Sequence, residues 1–259
     1  MKKNILFIGY GDLGSRLASI SKDDLVITGI SRSLKPRIVP DQYHSLDWFK
    51  NSSQKIDLLK NYDCLIITLT PTSFDEAGYE KGYEEGMKLI SKLVKNISFK
   101  KSLLISSTRV YQDSEEPINE LSNINSEDFR AKSLLESEAI YLNEINSSQK
   151  TIFRLSGLYD PEMKDKIFYK QVDEFQNKLI PISSNLNRLS RDQAARIIMN
   201  FCINKTDLLL LNVSEPTVLA QERFKMLFPE KNFDDFFRID NPGKQLDISN
   251  LLKSKLLDG

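Results

Sequence analysis

Ile5-Leu6-Phe7-Ile8-Gly9-Tyr10-Gly11-Asp12-Leu13-Gly14-Ser15-Arg16-Leu17-Ala18 is the stretch on which the fold turns. It is an apolar run, then G-x-G-x-x-G, then the opening of a helical pattern. Gly9 permits a tight turn, Gly11 lets main chain approach a pyrophosphate, and Gly14 lets the helix pack on the strand. The helix N-terminus then faces the anion. The alternative is a glycine-rich turn without a ligand. The motif follows the first strand of a βαβ pattern, which favours a dinucleotide cradle made of Gly9, Tyr10, Gly11, Asp12, Leu13 and Gly14.

Working outward, apolar runs alternate with helical patterns. Strands are expected at Asn4–Ile8, Leu25–Ile30, Asp63–Leu69, Lys101–Ser106 and Thr151–Leu155. Helices are expected at Leu13–Ile20, Phe74–Lys95 and Glu127–Ile145. Strands without polar alternation, separated by helices, describe a parallel sheet covered on both faces. Residues 1–160 therefore predict an α/β, doubly wound Rossmann domain. Residues 161–259 predict a small C-terminal α/β lobe for substrate, with insertions. Met163–Leu186 is mixed, while helix 191–204 and strand 208–213 should pack back on the Rossmann sheet. Glu215–Phe228 and Asp247–Leu257 read as helices around an aromatic, irregular Phe233–Phe237.

The end of the second strand bears on the dinucleotide. An Asp or Glu there would bind ribose hydroxyls and favour NAD. The chain has Ser31-Arg32-Ser33 instead, with Lys35 and Arg37 following, which suits a 2′-phosphate and favours NADP over NAD. The alternative is a solvated basic loop.

Composition narrows the class. The 259 residues carry 36 Lys plus Arg against 36 Asp plus Glu, and a neutral chain argues against a dedicated nucleic-acid binder. No apolar run approaches the ~18 residues that span a bilayer, and Ile5–Ile8 is too short for a secretory h-region, so the expectation is no membrane and a cytoplasmic location. Cys64 and Cys202 sit in apolar runs and read as buried free thiols. A single histidine, His44, leaves little material for a metal site or a Ser-His-Asp triad, and no metal is expected.

Further segments carry a resemblance. They are the glycine loop, Ser31-Arg32-Ser33, Ser45-Leu46-Asp47, Leu69-Thr70-Pro71, Ile105-Ser106-Ser107-Thr108-Arg109-Val110-Tyr111, Arg154-Leu155-Ser156-Gly157-Leu158-Tyr159-Asp160-Pro161, Asn187-Arg188-Leu189-Ser190-Arg191-Asp192 and Leu210-Leu211-Asn212-Val213-Ser214. In order and spacing the chain resembles the extended short-chain dehydrogenase/reductases, the nucleotide-sugar epimerase/dehydratase group. Its G-x-G-x-x-G spacing resembles the atypical bacterial branch. The resemblance implies an oxidoreductase or epimerase transferring hydride on a polar, nucleotide-linked small-molecule substrate. It implies cofactor contacts from Asp47, Leu69, Thr70, Pro71 and Ser106, and a catalytic role for Ser107.

The expected Tyr-x-x-x-Lys is missing. None of the nine tyrosines is followed by lysine four residues later. With Glu138 set on the acid near the end of the family's motif, Arg130 takes the tyrosine position and Leu134 the lysine position. A register two residues earlier gives Asp128 and Lys132. An arginine is a poor proton donor. Arg130 could orient an anionic substrate, or simply pair with Asp128 or Glu127. Tyr111 is a candidate acid, or a packed residue with a satisfied hydroxyl. The rival to the enzyme is a dinucleotide-binding sensor or scaffold without proton transfer. Gly78, Gly82 and Gly86 form a small helical face that suits either a homodimer or close packing on the sheet.

Overall fold

A computed structural model describes residues 2–50, 56–160, 166–174, 178–204 and 207–257. Seven parallel strands form the central sheet. In chain order they are β1 (Lys3–Ile8), β2 (Leu25–Ser31), β3 (Gln42–Ser45), β4 (Asn61–Thr68), β5 (Ser98–Ser107), β6 (Lys150–Leu155) and a last strand, Leu210–Val213. Their spatial order is last strand, β6, β5, β4, β1, β2, β3. The direction of winding reverses between β1 and β4, and open α/β sheets bind ligands at that crevice, outside the carboxyl ends of the strands.

The apolar runs hide a period of two. Ile5, Phe7, Cys64 and Ile66 belong to the core on one face, with Leu17 of α1 (Asp12–Ile20). Leu6, Ile8, Leu65 and Ile67 belong to the core on the other. There they meet Met87 and Ile90 of α3 (Gly86–Leu93) and Tyr141 of α4 (Phe129–Glu144). α3 continues without a break from α2 (Glu76–Tyr79) and a π-helical turn (Glu80–Glu85). Each fully buried Leu, Ile or Phe contributes about 1.5–3 kcal/mol over an exposed one, so double coverage makes these strands the stable centre. α4 begins where it does because Asp128 accepts a hydrogen bond from Arg130 N at 2.9 Å.

After β6 the chain builds small pieces over the crevice. They are β7 (Gly157–Tyr159), α5 (Lys166–Asp173), β8 (Ile180–Ser183), β9 (Asn185–Leu186) and β10 (Arg188–Ser190). α6 (Arg191–Ile203) starts on Ser190, whose Oγ accepts from Gln193 N at 3.1 Å, and packs its Ile197, Ile198 and Phe201 into the first core. β11 (Leu210–Val213) is the strand that pairs with β6. Pro161 and parts of the stretch 163–186 lie outside the described residues.

The C-terminal helices are shorter than their patterns predict. β12 (Val218–Leu219) precedes α7 (Ala220–Leu227), and α8 covers only Ser249–Lys253. The expected irregular aromatic stretch is a short 3₁₀ turn, Phe233–Asp235, followed by β13 (Phe237–Asn241), which pairs with β8. Its aromatics have a reason. Phe168, Phe224, Phe233 and Phe237 are buried together in a core of their own, separate from the sheet. The strand after β2 that carries His44 has an uneven burial pattern and escaped the sequence reading.

Candidate functional site

The glycine loop leaves β1 through Gly9 at φ +82°, a backbone state that disfavours side chains. A Cβ there would stand 2.0 Å from Thr68 O. Gly9 N and Tyr10 N both donate to Ile30 O at 2.9 Å, which locks the turn to β2. Gly11 differs. A Cβ on it would meet nothing nearer than Gly9 O at 3.7 Å, because its face opens onto a cleft of about 680 Å³. No side chain caps α1, so its first amides have no helical partner and point where an anion would sit. Gly14 abuts the ring of Tyr10, whose hydroxyl donates to Ile38 O at 3.0 Å. Asp12 and Leu13 line the cleft.

Asp12 puts a negative charge beside this cradle, and arginines answer it. Its carboxylate meets Arg16 at 3.0 Å, Arg37 at 3.0 Å and Arg191 at 3.6 Å. Arg16 also bridges Asp160 at 2.6 Å and pairs with Asp192, tying α1 to the residue after β7 and to α6.

A second cavity of about 180 Å³ opens from the same loop toward β2. Ser31, Arg32, Ser33, Trp48, Phe49 and Thr70 are on its wall. The Arg32 guanidinium lies 5.6 Å from the Trp48 ring and 5.5 Å from Phe49, and donates to Thr70 Oγ1 at 3.4 Å. Tyr43 donates to Ser33 O at 2.6 Å, so Ser31 Oγ, 2.7 Å away, donates to Tyr43. Asp47 does not line either cavity; its Oδ1 accepts from Phe49 N at 3.2 Å and holds the turn that presents Trp48. Leu69 and Thr70 line both cavities. Pro71 lines neither and backs the helix at Gly82.

At the far end of the cleft stand Ser106, Ser107, Thr108 and Arg109. Ser107 Oγ accepts from Arg109 N at 3.2 Å, so its own proton remains available to a ligand. Ser106 donates to Glu138 Oε1 at 2.5 Å. Glu138 in turn holds Arg154 at 2.7 and 3.1 Å, with both side chains 7% exposed. Burial pulls the Arg154 pKa down, but the Glu138 carboxylate outweighs it and keeps the guanidinium charged. This buried pair braces the end of β5 from behind.

No family model matches the chain, and no curated protein matches it either. Solved structures do. A Methylobacillus flagellatus protein described as an NAD-dependent epimerase/dehydratase has a TM-score of 0.72 at 24% identity, over 98% of this chain and 92% of that one. The UDP-glucuronic acid 4-epimerase of Bacillus cereus, in complex with NAD, gives 0.74 at 17%, over 97% and 89%. The UDP-N-acetylglucosamine 4-epimerase of Methanobrevibacter ruminantium, in complex with UDP-N-acetylmuramic acid, gives 0.73 at 18%, over 98% and 92%. The chain has the nucleotide-sugar epimerase fold.

Within this epimerase fold the expected acid–base residues are not brought together. Tyr111 is fully buried behind the cleft, donates to Asn212 Oδ1 at 2.7 Å and lies under Arg154 at 4.9 Å. Its hydroxyl is spent on Asn212 and it does not line the cleft, so it is a packed, satisfied hydroxyl and not an acid facing ligand; burial also raises its pKa. Arg130 does not line the cleft; its guanidinium lies 5.2 Å from the Phe129 ring, and its Nε 3.5 Å from Asp128. Leu134, at the lysine position of the first register, does line it. The glycine face of α2 and the π-turn is spent inside the molecule. A Cβ on Gly82 would stand 2.5 Å from Thr70 O, and one on Gly78 2.1 Å from Ser73 Oγ.

The sequence reading missed Tyr83, Arg191 and Lys244 as cleft residues. Lys244 lies in the segment between β13 and α8, 3.7 Å from Asp113, and donates to Tyr111 O. Burial lowers its pKa, and Arg109 adds to this. Ser156 is buried on the cleft wall with its Oγ unpartnered among the described residues. No periodicity marks these positions, because segments far apart in sequence bring them there.

Proposed function

We propose that this chain is a nicotinamide-dinucleotide-dependent oxidoreductase of the epimerase/dehydratase type, acting on a polar, nucleotide-linked small molecule. The observation that carries the reading is the uncapped N-terminus of α1 behind the open face of Gly11, at the head of a cleft that runs to Ser107. Main-chain amides at the start of α1 suit a diphosphate, and the cavity lined by Arg32, Trp48 and Phe49 suits the adenosine end. When bound, the nicotinamide supplies the two-electron acceptor or donor for interconverting an alcohol and a carbonyl. Ser107 would hydrogen-bond the substrate oxygen, and Glu138 with Arg154 keeps that strand end in place.

NADP is the preferred form. Ser31, Arg32 and Ser33 stand where an acid would select NAD, although the Bacillus cereus neighbour holds NAD. A further cavity of about 510 Å³ adjoins the cleft and is lined by Arg109, Arg188 and Lys244 together with Asn185 and Asn187. Asp113 also lines it, 3.7 Å from Lys244, and three cations against one carboxylate suit the diphosphate of a nucleotide sugar. The second reading, a dinucleotide-binding sensor or scaffold, is favoured by Leu134 in place of lysine on the cleft wall.

Trp48 is the single tryptophan and lines the smaller cavity, so its fluorescence should report binding. Titration with NADPH, NADP, NADH and NAD is expected to change it, with NADP forms tighter. Silence to all four at millimolar concentration would overturn both readings. Turnover of UDP-glucuronic acid or UDP-N-acetylglucosamine, lost in Ser107→Ala, would support the enzyme. Turnover unaffected by that change would remove Ser107 from the chemistry.

A further inference from the structure

Tyr83 sits on the π-helical turn Glu80–Glu85, an insertion of the kind that often re-aims a side chain at a functional site. Gly82, pressed against Thr70 O and Pro71, fixes that turn to the loop after β4. Tyr83 packs on Tyr79 with ring centroids 5.6 Å apart, and Tyr79 meets Phe129 edge-on at 5.5 Å. An aromatic ladder thus runs from the π-turn to the start of α4, the helix without the tyrosine–lysine pair. Tyr83 shares the cleft wall with Ser107, Arg109, Leu134 and Lys244. Its hydroxyl has no hydrogen-bond partner among the described residues, whereas Tyr10, Tyr111 and Tyr141 all spend theirs on protein oxygens.

Resting on the dinucleotide reading above, we infer that the Tyr83 hydroxyl stands beside Ser107 as the second group that hydrogen-bonds the substrate's reacting oxygen, in place of the tyrosine of the Tyr-x-x-x-Lys pair that α4 lacks. The charge around it fits a donor. Burial pushes the Tyr83 phenol up to about 12, neighbouring Tyr79 adds to this, and Arg109 opposes it. In the free protein it therefore keeps its proton through the physiological range. A cationic, oxidised nicotinamide in the same cleft would act in the same sense as Arg109 and lower that value.

The test uses the full-length protein labelled with 3-fluorotyrosine, whose lower phenol pKa brings the titration into a milder range. The fluorine resonance absent from Tyr83→Phe identifies residue 83, and Tyr111→Phe serves as the control. With Trp48 fluorescence showing saturation, oxidised dinucleotide is expected to lower the pKa of the residue-83 resonance by at least about half a unit, and the reduced form to leave it nearer its free value. Any turnover of UDP-glucose, UDP-glucuronic acid or UDP-N-acetylglucosamine should fall at least ~100-fold in Tyr83→Phe, with dinucleotide affinity kept within about twofold. Saturation without that shift, or turnover retained in Tyr83→Phe, overturns the inference alone. A silent Trp48 overturns the dinucleotide reading and the inference with it.

Discussion

Gly9 and Gly11 are two residues apart and should fail in opposite ways when replaced by alanine. At Gly9 the backbone is at φ +82°, which costs a side chain about 1–2 kcal/mol. The new Cβ would also stand 2.0 Å from Thr68 O, a main-chain atom of β4 that cannot swing aside. Overpacking of that kind adds about 1–3 kcal/mol. Gly9→Ala should therefore lose about 2–5 kcal/mol of stability. At Gly11 the new methyl meets only Gly9 O at 3.7 Å, so stability should change by less than about 1 kcal/mol. The methyl projects into the cleft in front of the α1 amides and would hold a phosphate away from them. Losing one or two charge-assisted hydrogen bonds of about 1.5–3 kcal/mol each weakens binding by about 1.5–6 kcal/mol, which is at least ~10-fold. Urea denaturation reads the first quantity and Trp48 fluorescence the second. Gly11→Ala binding within about threefold of wild type, or unfolding as readily as Gly9→Ala, would refute the assignment of Gly11 to the phosphate.

Three more expectations are open to direct measurement. Glu138→Ala leaves the Arg154 charge buried without its partner and should cost about 3–5 kcal/mol in urea denaturation; a loss below about 1 kcal/mol would mean the pair does not brace β5. Burial pushes the Asp63 carboxyl up, but hydrogen bonds from Lys100 and Asn4 N outweigh this and hold its pKa below the usual range. Its contribution to stability is therefore complete above the unfolded value of about 3.9 and is lost as pH falls through the lower folded value. Asp63→Asn should flatten stability against pH in that window, and an unchanged acid limb would count against the shift. Cys64 and Cys202 are free and buried, and burial pushes the Cys64 thiol well up, so a thiol reagent should label them only at the rate of unfolding. Fast labelling of the folded chain would contradict their burial.

The parts of the site that were legible are those built within a few residues. The glycine loop read correctly as a turn between strand and helix, because the positive φ and close approach to Thr68 at Gly9, and the Tyr10 ring against Gly14, demand glycine at a fixed spacing. Ser106 and Ser107 were legible as a strand end, and both line the cleft. Tyr111 was not, because its distance from Ser107 in sequence does not say whether the 3₁₀ turn Thr108–Val110 sends it outward or, as here, inward under Arg154. The small-residue face at Gly78 and Gly82 was visible, but its partner, the loop after β4, was not. The helix expected at Glu215–Phe228 was overread because Val218 and Leu219 pair as β12, and its apolar spacing also serves Phe224 in the phenylalanine core.

From its sequence alone this chain determined a parallel sheet, its glycine loop and the lack of a tyrosine–lysine pair on α4. These depend on local periods and on the stereochemistry of single residues, which the order of amino acids states outright. Tertiary structure decided which side chains share the cleft. Tyr83, Ser107, Arg191 and Lys244 come from four separate segments, and only the packing of helices and the C-terminal pieces against the sheet sets the angles that bring them to one wall. Side-chain identity was in the sequence from the start; convergence was not, because it is a property of how the layers stack.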